Sequence, residues 1–288
     1  MINAKAILSR QGLPSEDPAL APSSAKRFAD GSPWKIEIPS TESPRALRAV
    51  IEEAAARKVP VHRVSQGSGI MLLTDAEIIE MVELGRAHNI EVNLFVGPRA
   101  TFDVGAQVFS PAGRALGLSL RGANQLGYAL EDVLRAVRLG VNSILVSDLG
   151  NLLVMGKAKQ NGDLPPDLII KTSVMMAPCN PASARLIEDL GATTINIPSD
   201  LSIPQISAIR DAIDAPIDFY VEAPDNIGGF LRYYEIPELI RVAAPIYLKF
   251  GLRNSPDIYP CGTHIENTAI ALTRERVRRA QMALGFMV

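Results

Sequence analysis

Residues 169–222 carry the plainest architectural signal in the chain: IIKTSVMMAPCNPASARLIEDLGATTINIPSDLSIPQISAIRDAIDAPIDFYVE. The segment alternates three short apolar runs with two helical patterns. The runs are Ile169–Ser173, Thr194–Ile197 and Ile217–Glu222, and the helical patterns are Pro181–Leu190, which ends at Gly191, and Ile203–Ile213. Strands that alternate with helices of this length predict parallel strand–helix units.

The same alternation continues on both sides of this segment, from Lys35 onward. Five further candidate strands bring the number to eight: Ile36–Pro39, Val61–Ser65, Val92–Val96, Ser143–Ser147 and Ile246–Phe250. Most strand starts are roughly 25 to 30 residues apart, which is the length of a strand–helix unit with short loops. Eight such units in series predict a single-domain α/β protein, a (β/α)8 TIM barrel, rather than an open doubly wound sheet.

Start and stop signals mark several of the helices. Thr74 and Glu77 form a capping-box pattern before a helix at Ile78–His88. Pro237 interrupts Gly228–Ala243, which predicts two short helices there. The last helix, Thr273–Leu284, is amphipathic, and its wetter side is expected to carry Arg274, Arg276, Arg278 and Arg279.

Two segments stand apart from the repeating unit. Residues 1–34 contain Pro14, Pro18, Pro22 and Pro33 and are interpreted as an N-terminal arm, so that the barrel domain spans 35–288. The arm could dock through Ile7, Leu8 and Phe28 on the barrel or on a neighbouring subunit, or form a partly ordered tail. The third and fourth strand starts are 51 residues apart, which leaves a long loop at about 97–122. Residues 115–121 of this loop could instead form a strand of their own.

Composition limits the classes of function. The formal net charge of −2 gives no cationic footprint for nucleic acid, and two cysteines cannot supply a disulfide framework. No apolar run is long enough for a secretory signal or a membrane span. We therefore expect a cytoplasmic protein that forms a homo-oligomer, binds neither nucleic acid nor membranes, and lacks an NAD-binding motif.

Charged residues interrupt the candidate strands at alternating positions. Because one face of each strand packs on helices, these side chains should point into the barrel. The set balances three acids against three bases: Glu37, Asp218 and Glu222 against Arg63, Lys171 and Lys249. Such charges need partners when buried, so the pattern predicts an ionic network. The members near the carboxyl ends of strands would line a site, and the alternative is a purely structural plug.

The loop after the second strand contains Ser65-Gln66-Gly67-Ser68-Gly69, whose backbone N–H groups could face an anion. It matches neither a phosphate-binding P-loop nor a dinucleotide fingerprint, and a plain tight turn is an equal alternative. With the polar residues of nearby strands and loops it gives the candidate substrate-binding set: Arg63, Ser65, Gln66, Gly67, Ser68, Gly69, Arg99, Asn196, Arg253 and Asn254.

Acid and base candidates follow the seventh and eighth strands. Glu222 and Asp225 bracket Pro224 and could share a proton, while His264 and Glu266 follow the eighth strand. Together the four side chains could hold a divalent metal ion. The candidate catalytic residues are Glu222, Asp225, His264, Lys171 and Lys249. Cys179 follows the fifth strand without a nearby base, which argues against a catalytic thiol.

The segments KTSVMMAPCNPASARLIEDLGATTINIPSDL (171–201) and SIPQISAIRDAIDAPIDFYV (202–221) resemble the peptidase family U32. The resemblance rests on the Gly191-Ala192 step, on Ser199-Asp200-Leu201 and on Pro216–Val221, and Ile36–Pro39 is similar to the family's opening strand. It implies a barrel fold. Many members carry a His-Gly motif after the seventh strand and cysteines that bind an iron–sulfur cluster. In this sequence Glu222-Ala223-Pro224 occupies the position of that motif, and no cysteine cluster follows. The resemblance therefore does not imply an iron–sulfur cluster for this protein.

Three functional hypotheses remain open from the sequence. The first is an enzyme that acts on a small polar, anionic metabolite by acid/base or metal-assisted chemistry of hydrolase or lyase type. The second is a class I aldolase-like enzyme in which Lys171 or Lys249 forms a Schiff base. The third is a non-catalytic binding or assembly subunit.

Overall fold

The computed structural model describes residues 3–97 and 118–287, and in them eight parallel strands close into a barrel. The strands follow one another around the barrel in sequence order. They are β1 Trp34–Pro39, β2 Val61–Ser65, β3 Glu91–Phe95, β4 Ser143–Val146, β5 Ile169–Thr172, β6 Thr194–Asn196, β7 Ile217–Glu222 and β8 Ile246–Phe250. β1 pairs with both β2 and β8, which closes the ring. The predicted TIM barrel is confirmed.

Helices cover the outer surface of the barrel. In the described ranges they are α1 Ala4–Arg10, α2 Pro44–Arg57, α3 Asp75–His88, α4 Gly122–Arg138, α5 Leu149–Asn161, α6 Pro181–Asp189, α7 Ile203–Ala212, α8 Ile236–Ala243 and α9 Glu266–Leu284. The core lies between helices and strands, where outward-facing residues such as Phe219, Leu248 and Phe250 are fully buried. Among the described helices, none combines the length and apolarity that a bilayer crossing requires.

Helix boundaries follow the local signals of the sequence. The Thr74–Glu77 capping box is present at the start of α3. Pro237 does not divide a helix in two, because it lies in the first turn of α8, where its missing N–H costs no hydrogen bond. α9 begins at Glu266, seven residues before the predicted start at Thr273. The part of the loop alternative that lies in the described residues, 118–121, is not a strand.

The N-terminal arm lies against the end of the barrel where the strands begin. Ser24 N donates to the Arg241 carbonyl at 2.8 Å, and the rings of Phe28 and Tyr247 meet edge to face at 4.9 Å. Phe28 is thereby buried, whereas Ile7 and Leu8 of α1 are exposed. The arm therefore covers the end of the barrel at which the strands begin. The opposite end, where the strands end, is the mouth, and functional sites of this fold lie there.

The packing of α5 against the end of α6 leaves no room for a side chain at Gly156. A Cβ added there would lie 2.1 Å from the Leu190 carbonyl oxygen, which is far inside van der Waals contact. We expect Gly156→Ala to lower the free energy of unfolding by about 1–3 kcal/mol, because the helix must shift. Urea denaturation followed by circular dichroism measures the change.

Gly127 gives the matched control, since it lies exposed within α4 and an added Cβ would meet nothing within 4 Å. Gly127→Ala should raise the free energy of unfolding by about 0.5–1 kcal/mol through the lower backbone entropy of alanine. Equal effects at the two glycines would contradict the close approach of α5 and α6.

Candidate functional site

Five of the six predicted inward charges meet inside the barrel and are fully buried. They are Glu37, Arg63, Lys171, Asp218 and Lys249, each at most 2% exposed. We call this group, together with Glu91, the charged plug. Glu91 joins because it accepts from Arg63 Nε at 2.8 Å. The plug keeps the predicted balance of three acids and three bases, but with Glu91 in place of Glu222.

Glu37 stands at the centre of the charged plug. Its carboxylate accepts from Ser65 Oγ at 2.6 Å, pairs with Lys171 Nζ, and lies 3.5 Å from Lys249 Nζ. Burial alone would raise the pKa of Glu37, but the charges of Lys171, Lys249 and Arg63 hold it well below its usual range. Glu37 is therefore an internal counterion for three cations.

Asp218 is the second acid of the plug. It accepts from Arg63 Nη1 at 2.9 Å and from Thr194 Oγ1 at 2.5 Å, and it lies 3.7 Å from Lys171 Nζ. Burial lowers the pKa of Lys171 to about 8, against the opposing effect of Asp218 and Glu37. Because Lys171 is enclosed on all sides by these partners, the arrangement offers a carbonyl substrate no path to its amine.

Lys249 and Asn196 complete the plug on the side of the mouth. Lys249 Nζ lies 4.1 Å from the centre of the Tyr220 ring. In the amide orientation that satisfies both of its contacts, the Asn196 oxygen accepts from Lys249 Nζ at 2.6 Å and its nitrogen donates to the Asp218 carbonyl at 3.1 Å. Of the predicted substrate-binding residues, Arg63, Ser65 and Asn196 thus bind the protein's own charges.

Glu222 departs from the predicted inward alternation. The pairing of β7 with β8 shifts register between Tyr220 and Glu222. The Glu222 carboxylate is bound by the Tyr233 hydroxyl and lies 3.3 Å from Arg253 N. It shares a side pocket of about 490 Å³ with Leu272 and Arg279 of α9. The irregularity turns Glu222 toward α9 and away from the barrel axis.

The four candidate metal ligands do not come together. Asp225 pairs with Arg253 Nε at 3.2 Å and is bound by Asn254 N. Glu266 accepts from Ser43 Oγ at 2.7 Å, and His264 is exposed. Within residues 3–97 and 118–287, no three His, Cys, Asp or Glu side chains are grouped so that they could hold a metal ion. Arg99 lies outside the described residues.

The glycine-rich loop after β2 binds an anion, and that anion is the protein's own Glu42. Gly67 N and Ser68 N donate to the Glu42 carboxylate at 2.8 and 2.9 Å, and Ser68 Oγ donates at 2.5 Å. The Gln66 side chain closes the loop by accepting from Gly69 N at 3.1 Å. The N–H groups of Gly67 and Ser68 therefore face an anion as the sequence predicted, but they are not free for a ligand.

Burial raises the pKa of Glu42 above 4.5, although the hydrogen bonds from Ser68 and Gly67 oppose the rise. A raised folded-state pKa gives stability that is present below about pH 4.5 and is lost as the pH rises through the folded value. We therefore expect the stability advantage of the wild type over Glu42→Gln to be smaller at pH 7 than at pH 4.5. Urea denaturation at the two pH values measures it.

The control for this titration is Glu83→Gln, because Glu83 is an exposed residue of α3. Its difference from the wild type should change little between the two pH values. A wild-type advantage over Glu42→Gln that grows with pH would contradict the raised pKa of Glu42, because the hydrogen bonds from the loop would then outweigh the effect of burial.

The barrel mouth contains a cavity of about 530 Å³. Its wall is largely apolar, with a few polar groups at the floor and rim. The floor includes Tyr220, and the rim includes Ser40 and Tyr259, whose hydroxyl groups are hydrogen-bonded to each other. A cavity of this size and composition is typical of small-molecule sites. Of the predicted residues, Gly67 and Asp225 line this cavity.

The sequence did not single out Arg276, which also lines the mouth cavity. The residue is 4% exposed, and in the described parts of the chain its Nε and Nη1 have no hydrogen-bond partner. Arg276 does not lie on the wetter side of α9, since it falls on the buried stripe with Thr273, Val277 and Ala280. That spacing of three to four residues was the signal in the sequence that could have identified it.

Tyr220 lies at the floor of the same cavity. Burial and the negative charge of Glu37 raise the pKa of Tyr220 above its ordinary range, against the opposing positive charge of Arg276. The phenol therefore keeps its proton at neutral pH and can donate a hydrogen bond. A buried guanidinium and a protonated phenol in one apolar cavity can hold an anion and donate a hydrogen bond to it.

Comparison with known proteins finds a family model that matches the central part of the chain. A model of peptidase family U32 matches residues 120–223. This segment is similar to peptidase family U32. The match confirms the resemblance seen in the sequence and extends from the approach to α4 through β7. Among curated proteins, none matches the chain.

Solved structures are similar to the chain at low identity. The U32 peptidase Mk0906 is 16% identical, with 77% of this chain and 94% of that chain covered and a TM-score of 0.46. The putative copper homeostasis protein CutC from Streptococcus agalactiae is 16% identical over 75% and 98% of the chains, with a TM-score of 0.47. Orotidine 5′-monophosphate decarboxylase from Methanocaldococcus jannaschii is 12% identical over 87% and 98%, with a TM-score of 0.46.

The match to the U32 model ends at residue 223, where the resemblance to iron–sulfur members would imply a His-Gly motif. The residues present do not fit such a cluster, because four cysteine ligands are needed and the chain has two. Cys179 is exposed after β5, and Cys261 follows β8. No chemical step is therefore assigned to an iron–sulfur cluster.

Proposed function

We propose that the protein is an enzyme that binds a small anionic molecule in the mouth cavity and transfers a proton to or from it, in a reaction of hydrolase or lyase type. The observation that carries the proposal is the buried Arg276 guanidinium, which lines the cavity and whose Nε and Nη1 have no hydrogen-bond partner among the described residues, while the negative charge of Glu42 acts on it from nearby. Buried N–H groups without hydrogen bonds are costly, so a further partner is expected. An anionic ligand is the partner that the cavity can admit.

Tyr220 supports the chemical part of the proposal. Its hydroxyl stays protonated and lies within electrostatic reach of Arg276. An anion held by Arg276 would therefore meet a hydrogen-bond donor in the same cavity, and proton transfer through Tyr220 requires that the bound anion lower the energy of the phenolate or accept the proton strongly. Of the acid/base candidates from the sequence, Glu222 lies in the side pocket and His264 on the exposed surface. Asp225 lines the mouth cavity but is paired with Arg253, so Tyr220 takes the proton-donor role in the proposal.

The Schiff-base hypothesis receives no support from the geometry. Lys171 and Lys249 are enclosed in the charged plug, and neither lines the described wall of the mouth cavity. The binding-subunit hypothesis differs from the proposal only in turnover, and the experiment below separates the two.

A deproteinised cell extract incubated with the protein and compared by anion-mode mass spectrometry tests the proposal. The wild type and the exposed control Arg278→Met should deplete the same anion and form the same product, whereas Arg276→Met and Tyr220→Phe should not. Depletion by all four proteins alike would contradict the assigned roles. Binding of an anion that depends on Arg276, without product from any protein, would favour a binding subunit.

A further inference from the structure

We infer that the ligand of the mouth cavity is a single carboxylate on a mainly apolar body of about the size of one ring, and not a phosphate. This inference rests on the proposed function and makes its anion specific. Three independent properties of the described cavity wall carry it: its charge balance, its supply of backbone N–H groups, and its apolar surface.

The charge balance favours a monoanion. Among the described residues that line the cavity, Arg276 is the only cation, while Asp225 and Asp257 are acidic. Asp225 is offset by its ion pair with Arg253, and Asp257 accepts from Tyr259 N at 3.0 Å. One guanidinium matches the single charge and planar shape of a carboxylate. A phosphate dianion would bring a second negative charge toward Asp257, and Arg253, the described cation beside the rim, is already paired with Asp225.

The supply of backbone donors points the same way. Phosphate sites in barrels are commonly built from loop N–H groups that surround the phosphate oxygens. Here the glycine-rich loop lies beside the cavity, but Gly67 N and Ser68 N already donate to Glu42. The loop that could have surrounded a phosphate is filled by an internal carboxylate. Arg276 is then left as the main anion contact of the described wall.

The rest of the wall is suited to an apolar group. It includes Phe95, Leu118, Val174, Met175, Ile227 and Ile258. Burial of apolar ligand surface against such a wall contributes roughly 25 cal/mol per Å². A free volume of about 530 Å³ accommodates a ring and a short chain with room for the reacting group. The ligand should therefore bind with its carboxylate on Arg276 and its body against these side chains.

Matched ligands test the inference by isothermal titration calorimetry of the full chain. The probes are 3-phenylpropionate, hexanoate, phenyl phosphate, the neutral amide 3-phenylpropanamide, and acetate. We expect one of the two larger carboxylates to bind the wild type and Arg278→Met with equal affinity. Arg276→Met should weaken its binding about tenfold to a hundredfold, through loss of a charge-assisted contact. The amide and acetate should bind at least tenfold more weakly than that carboxylate.

Each contrary result has a separate meaning. If phenyl phosphate binds more tightly than both larger carboxylates and needs Arg276, the carboxylate inference is wrong and the proposed function stands. If acetate binds as tightly as the larger acids, the inference that the ligand has an apolar body is wrong. If neither larger carboxylate binds in an Arg276-dependent manner, the inference is overturned, and the extract experiment decides the proposed function on its own.

Discussion

Replacing Lys171 by methionine should lower the free energy of unfolding by about 3–5 kcal/mol, which is the usual cost of removing one partner of a buried ion pair. Lys171 is fully buried between Glu37 and Asp218. Without it, Glu37 retains Arg63 and Lys249 at longer distances, and Asp218 retains Arg63. Urea denaturation at pH 7, followed by far-ultraviolet circular dichroism, measures the loss.

The control is Lys157→Met, because Lys157 is an exposed lysine on α5. Its effect should lie within about 0.5 kcal/mol of zero, as for most surface substitutions. A loss of less than about 1 kcal/mol at Lys171 would mean that the plug is not a coupled network. A double-mutant cycle with Glu37→Gln then isolates the energy of the pair itself.

Arg276→Met should change the free energy of unfolding in the direction opposite to Lys171→Met. In the absence of ligand we expect it to raise the free energy of unfolding by about 1–3 kcal/mol, because methionine replaces a buried guanidinium whose Nε and Nη1 lack hydrogen bonds in the described structure and whose desolvation the charge of Glu42 offsets only in part. Burial lowers the pKa of Arg276, which reports the same desolvation cost. Thermal unfolding of the ligand-free protein measures the gain.

Arg278→Met serves as the comparison, since Arg278 lies exposed on the same helix and pairs with Glu275. It should leave the midpoint of unfolding nearly unchanged or slightly lower. If Arg276→Met destabilises the ligand-free protein, the guanidinium has an internal partner, and the case for an anionic ligand loses its main observation. Gain of stability with loss of ligand binding would mark Arg276 as a residue retained for function.

The architecture could be predicted from sequence because each strand is short, apolar and followed by a helix with clear end signals. All eight predicted strands are present, as the start of β7 at Ile217 illustrates. α5 was not singled out, because its buried face includes Asn151 and Gly156 and so lacks a plain apolar stripe. The helical pattern alone did not predict that the polar side chain of Asn151 would be buried.

The candidate site was harder to predict, for two physical reasons. Strict alternation placed Glu222 inside the barrel, but a register shift between neighbouring strands reverses the facing of a side chain, and no local pattern announces it. Hydropathy placed Arg276 outside, but this arginine is buried and so breaks the rule that connects polarity with exposure. The N–H groups of the glycine-rich loop were considered for a ligand anion, but they bind Glu42, which is distant in sequence.

The charged plug separates the barrel into two layers: an interior layer of ion pairs and an outer layer formed by the mouth cavity and its loops. Interior side chains that hold the strands together bind one another, so a ligand can reach only the loops and the floor around Tyr220. Mutations that reshape the mouth would therefore leave the interior ion pairs intact, and mutations in the interior would be felt first as loss of folding. Such a separation would let the loops of the mouth change in sequence while the interior frame stays the same.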